Sequence, residues 1–103
     1  MYYIYMLRCE DNSLYTGITT DIKRRFEEHS TKSVKGAKYT HTHSVLKIER
    51  IWETDTRQNA SKLEYRLKRL RKEQKELLAS GNADIDKFLS EIIDCSLFRN
   101  TTF

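Results

Sequence analysis

Between Tyr15 and His29 the chain reads Tyr-Thr-Gly-Ile-Thr-Thr-Asp-Ile-Lys-Arg-Arg-Phe-Glu-Glu-His. One short stretch therefore carries a phenol, guanidinium groups and an imidazole. A phenol can orient water, a guanidinium fits the oxygens of a phosphate, and an imidazole exchanges protons near neutral pH. Together they suit the handling of a phosphate. Presenting them on one surface requires a strand that feeds a helix. Tyr15 to Ile18 mixes aromatic and β-branched residues; the period then changes, placing Ile22 and Phe26 on one helical stripe and Arg25 and His29 on the adjacent one. Gly17, Thr19 and Thr20 mark the turn, with Thr20 or Thr19 expected as the helix cap.

The preceding residues supply a partner strand. Tyr2 to Cys9 is rich in β-formers, with Tyr3, Tyr5, Leu7 and Cys9 on one face and Tyr2, Ile4, Met6 and Arg8 on the other. With Glu10-Asp11-Asn12 as the turn, the first eighteen residues form a hairpin that sets Leu7 opposite Tyr15 and Tyr5 opposite Gly17. Both tyrosines then project from one face, and the missing side chain at Gly17 leaves space beside Tyr5.

Beyond the helix, Ser30 to Ser44 loses apolar periodicity and reads as a basic, hydroxyl-rich loop of the kind that touches a sugar-phosphate backbone. His29, His41 and His43 make a poor zinc set, with no cysteine or acid beside the loop pair. Val45 to Glu53 is a third strand with a bulge expected near Arg50. From Asp55 or Thr56 a helical pattern places Ala60, Leu63, Leu67, Leu70, Leu77 and Leu78 on one stripe, with a break expected near Lys72. Glu64 sits about 40° beyond the stripe's edge. Its helix is expected to cover the tyrosine face of the sheet. Gly81-Asn82 stops the pattern, Asp84 caps a last amphipathic helix from Ile85 to Cys95, and Phe98 to Phe103 reads as frayed.

At 103 residues, with 19 Lys and Arg against 15 Asp and Glu, the chain is one basic domain suited to a polyanionic partner. Cys9 and Cys95 lack metal-ligand spacing and read as reduced thiols of a cytoplasmic protein. No signal peptide or membrane span is expected. The fold class expected is α/β in the α+β sense, with a three-stranded, mainly antiparallel sheet flanked by helices. Residues 1–82 form the main body, and 83–103 a helical extension whose apolar face would favour a homodimer.

Tyr3-Ile4-Tyr5, Tyr15-Thr16-Gly17, Arg25, His29 and a later helix with Ala60 and Glu64 together resemble the GIY-YIG nuclease domain, over nearly the whole chain to about Ser80. The small single-domain bacterial members are the nearer likeness, through the Tyr-Thr-Gly, Arg-Arg and Gly-Ala-Lys-Tyr-Thr segments. Tyr3 stands where the first motif has glycine, and Thr16 where the second has isoleucine. The asparagine that some members carry after the helix glutamate has no convincing counterpart. The resemblance implies a metal-dependent endonuclease hydrolysing DNA phosphodiesters. Glu64 would be the single protein ligand of Mg²⁺ or Mn²⁺, Tyr15 the base or water-orienting group and Tyr5 its partner. Arg25 would be the charge clamp, and His29 a secondary proton or phosphate contact. Gly17, Lys23, Arg24, Lys35, Lys38, Tyr39 and Thr40 are the candidate nucleic-acid contacts. Low sequence specificity is expected, because no second module reads bases. The alternatives are a weak or inactive nucleic-acid-binding scaffold and a protein-interaction module.

Overall fold

A computed structural model describes residues 1–30 and 44–102. The loop candidates Lys35, Lys38, Tyr39 and Thr40, with His41 and His43, lie outside the described residues. Strand β1 (Tyr2–Cys9) turns back into β2 (Leu14–Thr19), and helix α1 (Ile22–Ser30) follows. Strand β3 (Val45–Thr54) leads into α2 (Arg57–Lys68) and α3 (Lys72–Ala79). The chain ends with the single turn α4 (Asp86–Leu89), a 3₁₀ turn at Cys95–Leu97 and β4 (Arg99–Thr101).

The sheet is antiparallel with strand order β2-β1-β3-β4. It has four strands rather than the three expected. The hairpin register is the one the turn dictates, with Leu7 opposite Tyr15 and Tyr5 opposite Gly17. On the other side of β1 the pairing shifts between Met6 and Leu7, from Arg50 to Ile48, so the bulge falls at Glu49 beside Arg50. Asp21 replaces the threonines as the cap of α1: its carboxylate accepts from the backbone N–H of Arg24 at 3.1 Å, while Thr19 accepts from the N–H of Asp21.

Helices pack on both sides of the sheet, so both faces of the inner strand β1 are covered. Tyr5 and Leu7 pack with Ile51 under Ile22 and Phe26 of α1. Ile4 and Met6 pack with Trp52 against Ala60, Leu63, Leu67 and Leu78 of the two long helices. The leucine stripe thus covers the face opposite the tyrosines, correcting the expectation that its helix would cover theirs. The expected break comes at residues 69–71; Gln74 accepts from the N–H of Arg71 to restart the helix, and Leu77 turns outward.

The last helix is much shorter than Ile85 to Cys95. Asp84 accepts from the Trp52 indole at 3.1 Å, the Asn100 amide at 2.6 Å and the Ile85 N–H at 2.7 Å, which holds the segment against the sheet. Ile85 and Leu89 enter the core, with Phe88, Ile93 and Phe98 packed on it. The apolar face invoked for a homodimer is therefore largely covered by the chain itself; Ile92 remains exposed. Residues 99–101, read as frayed, pair with β3, and Arg99 donates to Glu53 and Asp55. Cys9 is buried, Cys95 is partly buried, and both are free. No described helix is long and apolar enough to cross a membrane.

Arg50 ties this arrangement together. It donates to the carbonyls of Leu78 and Ala83 at 2.8 and 2.6 Å and to the side chain of Asn100, and its guanidinium lies 5.0 Å from the Trp52 ring centroid. Arg50→Met leaves those acceptors and Asp84 without their cation. It is expected to lower stability by about 3 kcal/mol, read as a shift of the urea unfolding midpoint with unchanged slope.

Candidate active site

Tyr5 belongs to an inner strand, yet its phenol extends over the neighbouring edge strand. A Cβ added at Gly17 would stand 2.5 Å from the Tyr5 hydroxyl oxygen, 2.7 Å from Cζ and 3.2 Å from a Tyr15 ring carbon. Only glycine accommodates the phenol there. The Tyr5 hydroxyl lies 2.9 Å from Nε2 of His29, which is wholly buried in the last turn of α1. Arg25, one turn earlier, lines the same small space as the Tyr5 ring and pairs with Glu28 at 3.1 Å. Tyr15, partly exposed, completes the group, with ring centroids 6.4 Å from Tyr5 and 5.2 Å from His29.

Burial raises the Tyr5 phenol well above the usual tyrosine range; the Arg25 guanidinium opposes this, while Tyr15 and Glu64 add to it. Tyr5 therefore keeps its proton. Burial works against the charge of Arg25, but Tyr5, Glu28 and the Tyr15 phenol outweigh it and hold the guanidinium above its ordinary range.

Glu64 reaches this group from the other layer. It lies on α2, under the opposite face of the sheet, and its charge is the least of the influences on the Tyr5 phenol. Its carboxylate pairs with Lys68 at 3.3 Å, and the ammonium of Lys68 stands 5.9 Å from the Tyr15 ring centroid. Both side chains thus come around the exposed edge of β2. Its side chain remains 24 % exposed, enough for water and a phosphate oxygen to share an ion with it.

The constellation spans residues 5 to 64. The GIY-YIG catalytic domain model matches residues 1–77. The chain belongs to the GIY-YIG family. A UPF0213 protein of Fusobacterium nucleatum is 48% identical over 91 residues, covering 88% of this chain and 86% of that one. A UPF0213 protein of Vibrio cholerae is 43% identical, covering 84% of each chain. The solution NMR structure of a UPF0213 protein from Bacillus halodurans is 33% identical, with a TM-score of 0.47 over 89% of this chain and 97% of that one.

Within this GIY-YIG domain, Tyr5, Tyr15, Arg25 and His29 gather in one cluster, with Glu64 at its rim. Lys23 and Arg24 are exposed at the start of α1, and Gly17 is buried beneath the Tyr5 phenol. Sequence reasoning missed Lys68 and Arg57. Arg57 joins Arg24, Arg25, Thr19 and Thr20 around a groove of about 300 Å³ at the end of β2. The i,i+4 spacing of Lys68 from Glu64 was the available signal. Among the described residues, no three His, Cys, Asp or Glu side chains form a ready metal cage.

Gly17→Ala is expected to destabilise the domain by about 1–3 kcal/mol, as overpacking does. Adding Tyr5→Phe should restore part of that loss, as measured in a double-mutant cycle of urea midpoints. A second expectation concerns pH. The unfolded chain releases the Tyr5 proton near pH 10, whereas the folded chain retains it above that. This contribution to stability is full below about pH 10 and is lost as pH rises through the folded value. The stability advantage of wild type over Tyr5→Phe should therefore hold up to about pH 10 and shrink as pH rises above it, as read in denaturant titrations.

Proposed function

We propose that this GIY-YIG domain is a metal-dependent endonuclease that hydrolyses DNA phosphodiester bonds with little sequence preference. The observation that carries the reading is the gathering of Tyr15 and Arg25 around the buried Tyr5–His29 hydrogen bond, with the Glu64–Lys68 pair beside the Tyr15 ring. Hydrolysis needs water delivered to phosphorus, neutralisation of charge on the phosphoryl oxygens, and stabilisation of the charge that forms on the departing oxygen. Tyr15 has the exposure to orient the attacking water. Arg25, charged throughout the physiological range, clamps the phosphate. Tyr5 retains its own proton and is buried, so it acts as a positioning residue, holding Arg25 and His29 in place. His29, wholly buried and hydrogen-bonded to Tyr5, supports the cluster rather than touching phosphate.

The donor set suits Mg²⁺ or Mn²⁺. Glu64 offers one hard carboxylate, and magnesium keeps several waters and completes its octahedron with substrate phosphate. The partly exposed Lys68 pair it would have to leave is worth only about 0.3–0.5 kcal/mol. A divalent ion bound there supplies electrophilic stabilisation of the phosphoryl oxygens. The site of action in this reading is the cytoplasm.

The test is plasmid nicking with Mg²⁺ or Mn²⁺. Tyr15→Phe, Arg25→Ala and Glu64→Ala should each reduce the nicking rate by roughly a hundredfold or more, with urea midpoints showing whether each variant is folded. Equal cleavage by wild type and all three variants would exclude this site. Binding without cleavage by wild type would favour a nucleic-acid-binding scaffold.

A further inference from the structure

The surface of α2 beyond Glu64 carries an arrangement that catalysis at the cluster does not require. From Arg57 to Lys68 the helix holds four cations and a single acid, and that acid is Glu64. A helix whose polar face served solubility alone would intersperse both signs. Here the side that continues outward from Glu64 and Lys68 presents Tyr65, which is 51% exposed. The guanidinium of Arg69 lies 4.3 Å from its ring centroid and that of Arg66 5.4 Å away. Neither arginine has an acidic partner within ion-pair distance among the described residues.

At the other end of the same helix, Arg57 lines the groove with Arg24, Arg25, Thr19, Thr20 and a single acid, Glu28, which is paired with Arg25. The helix follows the edge strand β2, with Arg57 near Thr19 and Lys68 near Tyr15. Arg57 and Lys68 are roughly 16 Å apart along the axis, at 1.5 Å per residue, with Glu64 between them. Cations therefore flank the cluster on both sides along one line, and at one end an exposed aromatic ring stands among them. Guanidinium and ammonium groups pair with phosphates, whereas a tyrosine ring offers a stacking face to a base, which on Tyr65 takes the place of the Arg69 guanidinium as that group turns to a phosphate. Only a base outside a duplex stack can use that face.

Resting on the nuclease reading, we propose that the seam between β2 and α2 is a track for single-stranded DNA. The strand passes from the Arg24–Arg57 groove, across Tyr15 and Glu64, to a base stacked on Tyr65 with its phosphates on Lys68 and Arg69. The substrate class is thus DNA with an unpaired segment at the cleaved bond, such as a single strand, a flap or a gap.

The experiment is fluorescence anisotropy with the full chain in EDTA, using a labelled single-stranded oligodeoxynucleotide and its duplex. Wild type should bind the single strand more tightly. Tyr65→Ala, which places a good helix former at an exposed site and so preserves α2, should weaken single-strand binding roughly ten- to a hundredfold, as loss of one stacked base does. Duplex binding should change less than about twofold, and Tyr65→Phe should bind the single strand as wild type does. Arg57→Ala and Arg69→Ala should each reduce the slope of log K against log salt by about 0.7. The track is overturned if Tyr65→Ala binds the single strand as tightly as wild type, or if duplex and single strand weaken alike. No binding of either DNA by wild type would overturn the track together with the nuclease reading. Wild-type nicking with Tyr65→Ala unaffected in single-strand binding would overturn the track alone.

Discussion

The phenol of Tyr5 lies across Gly17, and the position of every other group in the cluster follows from that contact. An inner-strand side chain would ordinarily stand upright over its own strand. The missing Cβ on β2 lets this one lean over the edge strand, where its hydroxyl bonds to His29 and its ring lies beside Arg25. Strand β1 and helix α1 are thereby joined through polar groups as well as through Leu7, Ile22 and Phe26. The cost of burying a phenol and an imidazole is met because they bond to each other; no buried side-chain polar atom among the described residues lacks a partner.

A second constraint comes from the layers of the domain. The tyrosines, Arg25 and His29 lie on the α1 side of the sheet, while Glu64 and Lys68 belong to a helix whose leucines pack on the other side. They meet only because β2 is the edge. A glutamate at the margin of the apolar stripe can reach past an edge strand; from beneath an inner strand it could not. The same geometry leaves Tyr15 accessible while Tyr5 and His29 are closed off. Two phenols of one hairpin face thus have different chemistry, one fixed and protonated, the other open to water.

The last segment shows how far the domain extends beyond the residues that match the family model. Ile85 and Leu89 complete the core begun by Ile4, Met6 and Trp52. Arg50, Asp84 and Asn100 form a polar clasp over Trp52, and β4 extends the sheet on the side away from β2. Apolar residues that look on paper like an amphipathic helix for a partner are spent on this chain's own interior.

Much of this was legible in local pattern, because hairpin register, the strand-to-helix change of period and the leucine spacing depend on near neighbours. The three-residue turn was enough to set Tyr5 opposite Gly17 and Leu7 opposite Tyr15, and side-chain spacing was enough to put Arg25 and His29 side by side. Tertiary structure decided what depends on remote partners. It chose which sheet face the leucines cover, since both faces of β1 are apolar and alternation cannot rank them. It turned residues 99–101 into a strand, because three polar residues gain order only from β3 and the charges beside it. It also separated the two tyrosines, since a phenol's environment is set by what lies over it, and that was supplied by a glycine on one strand and by an arginine and a histidine one turn apart on a helix.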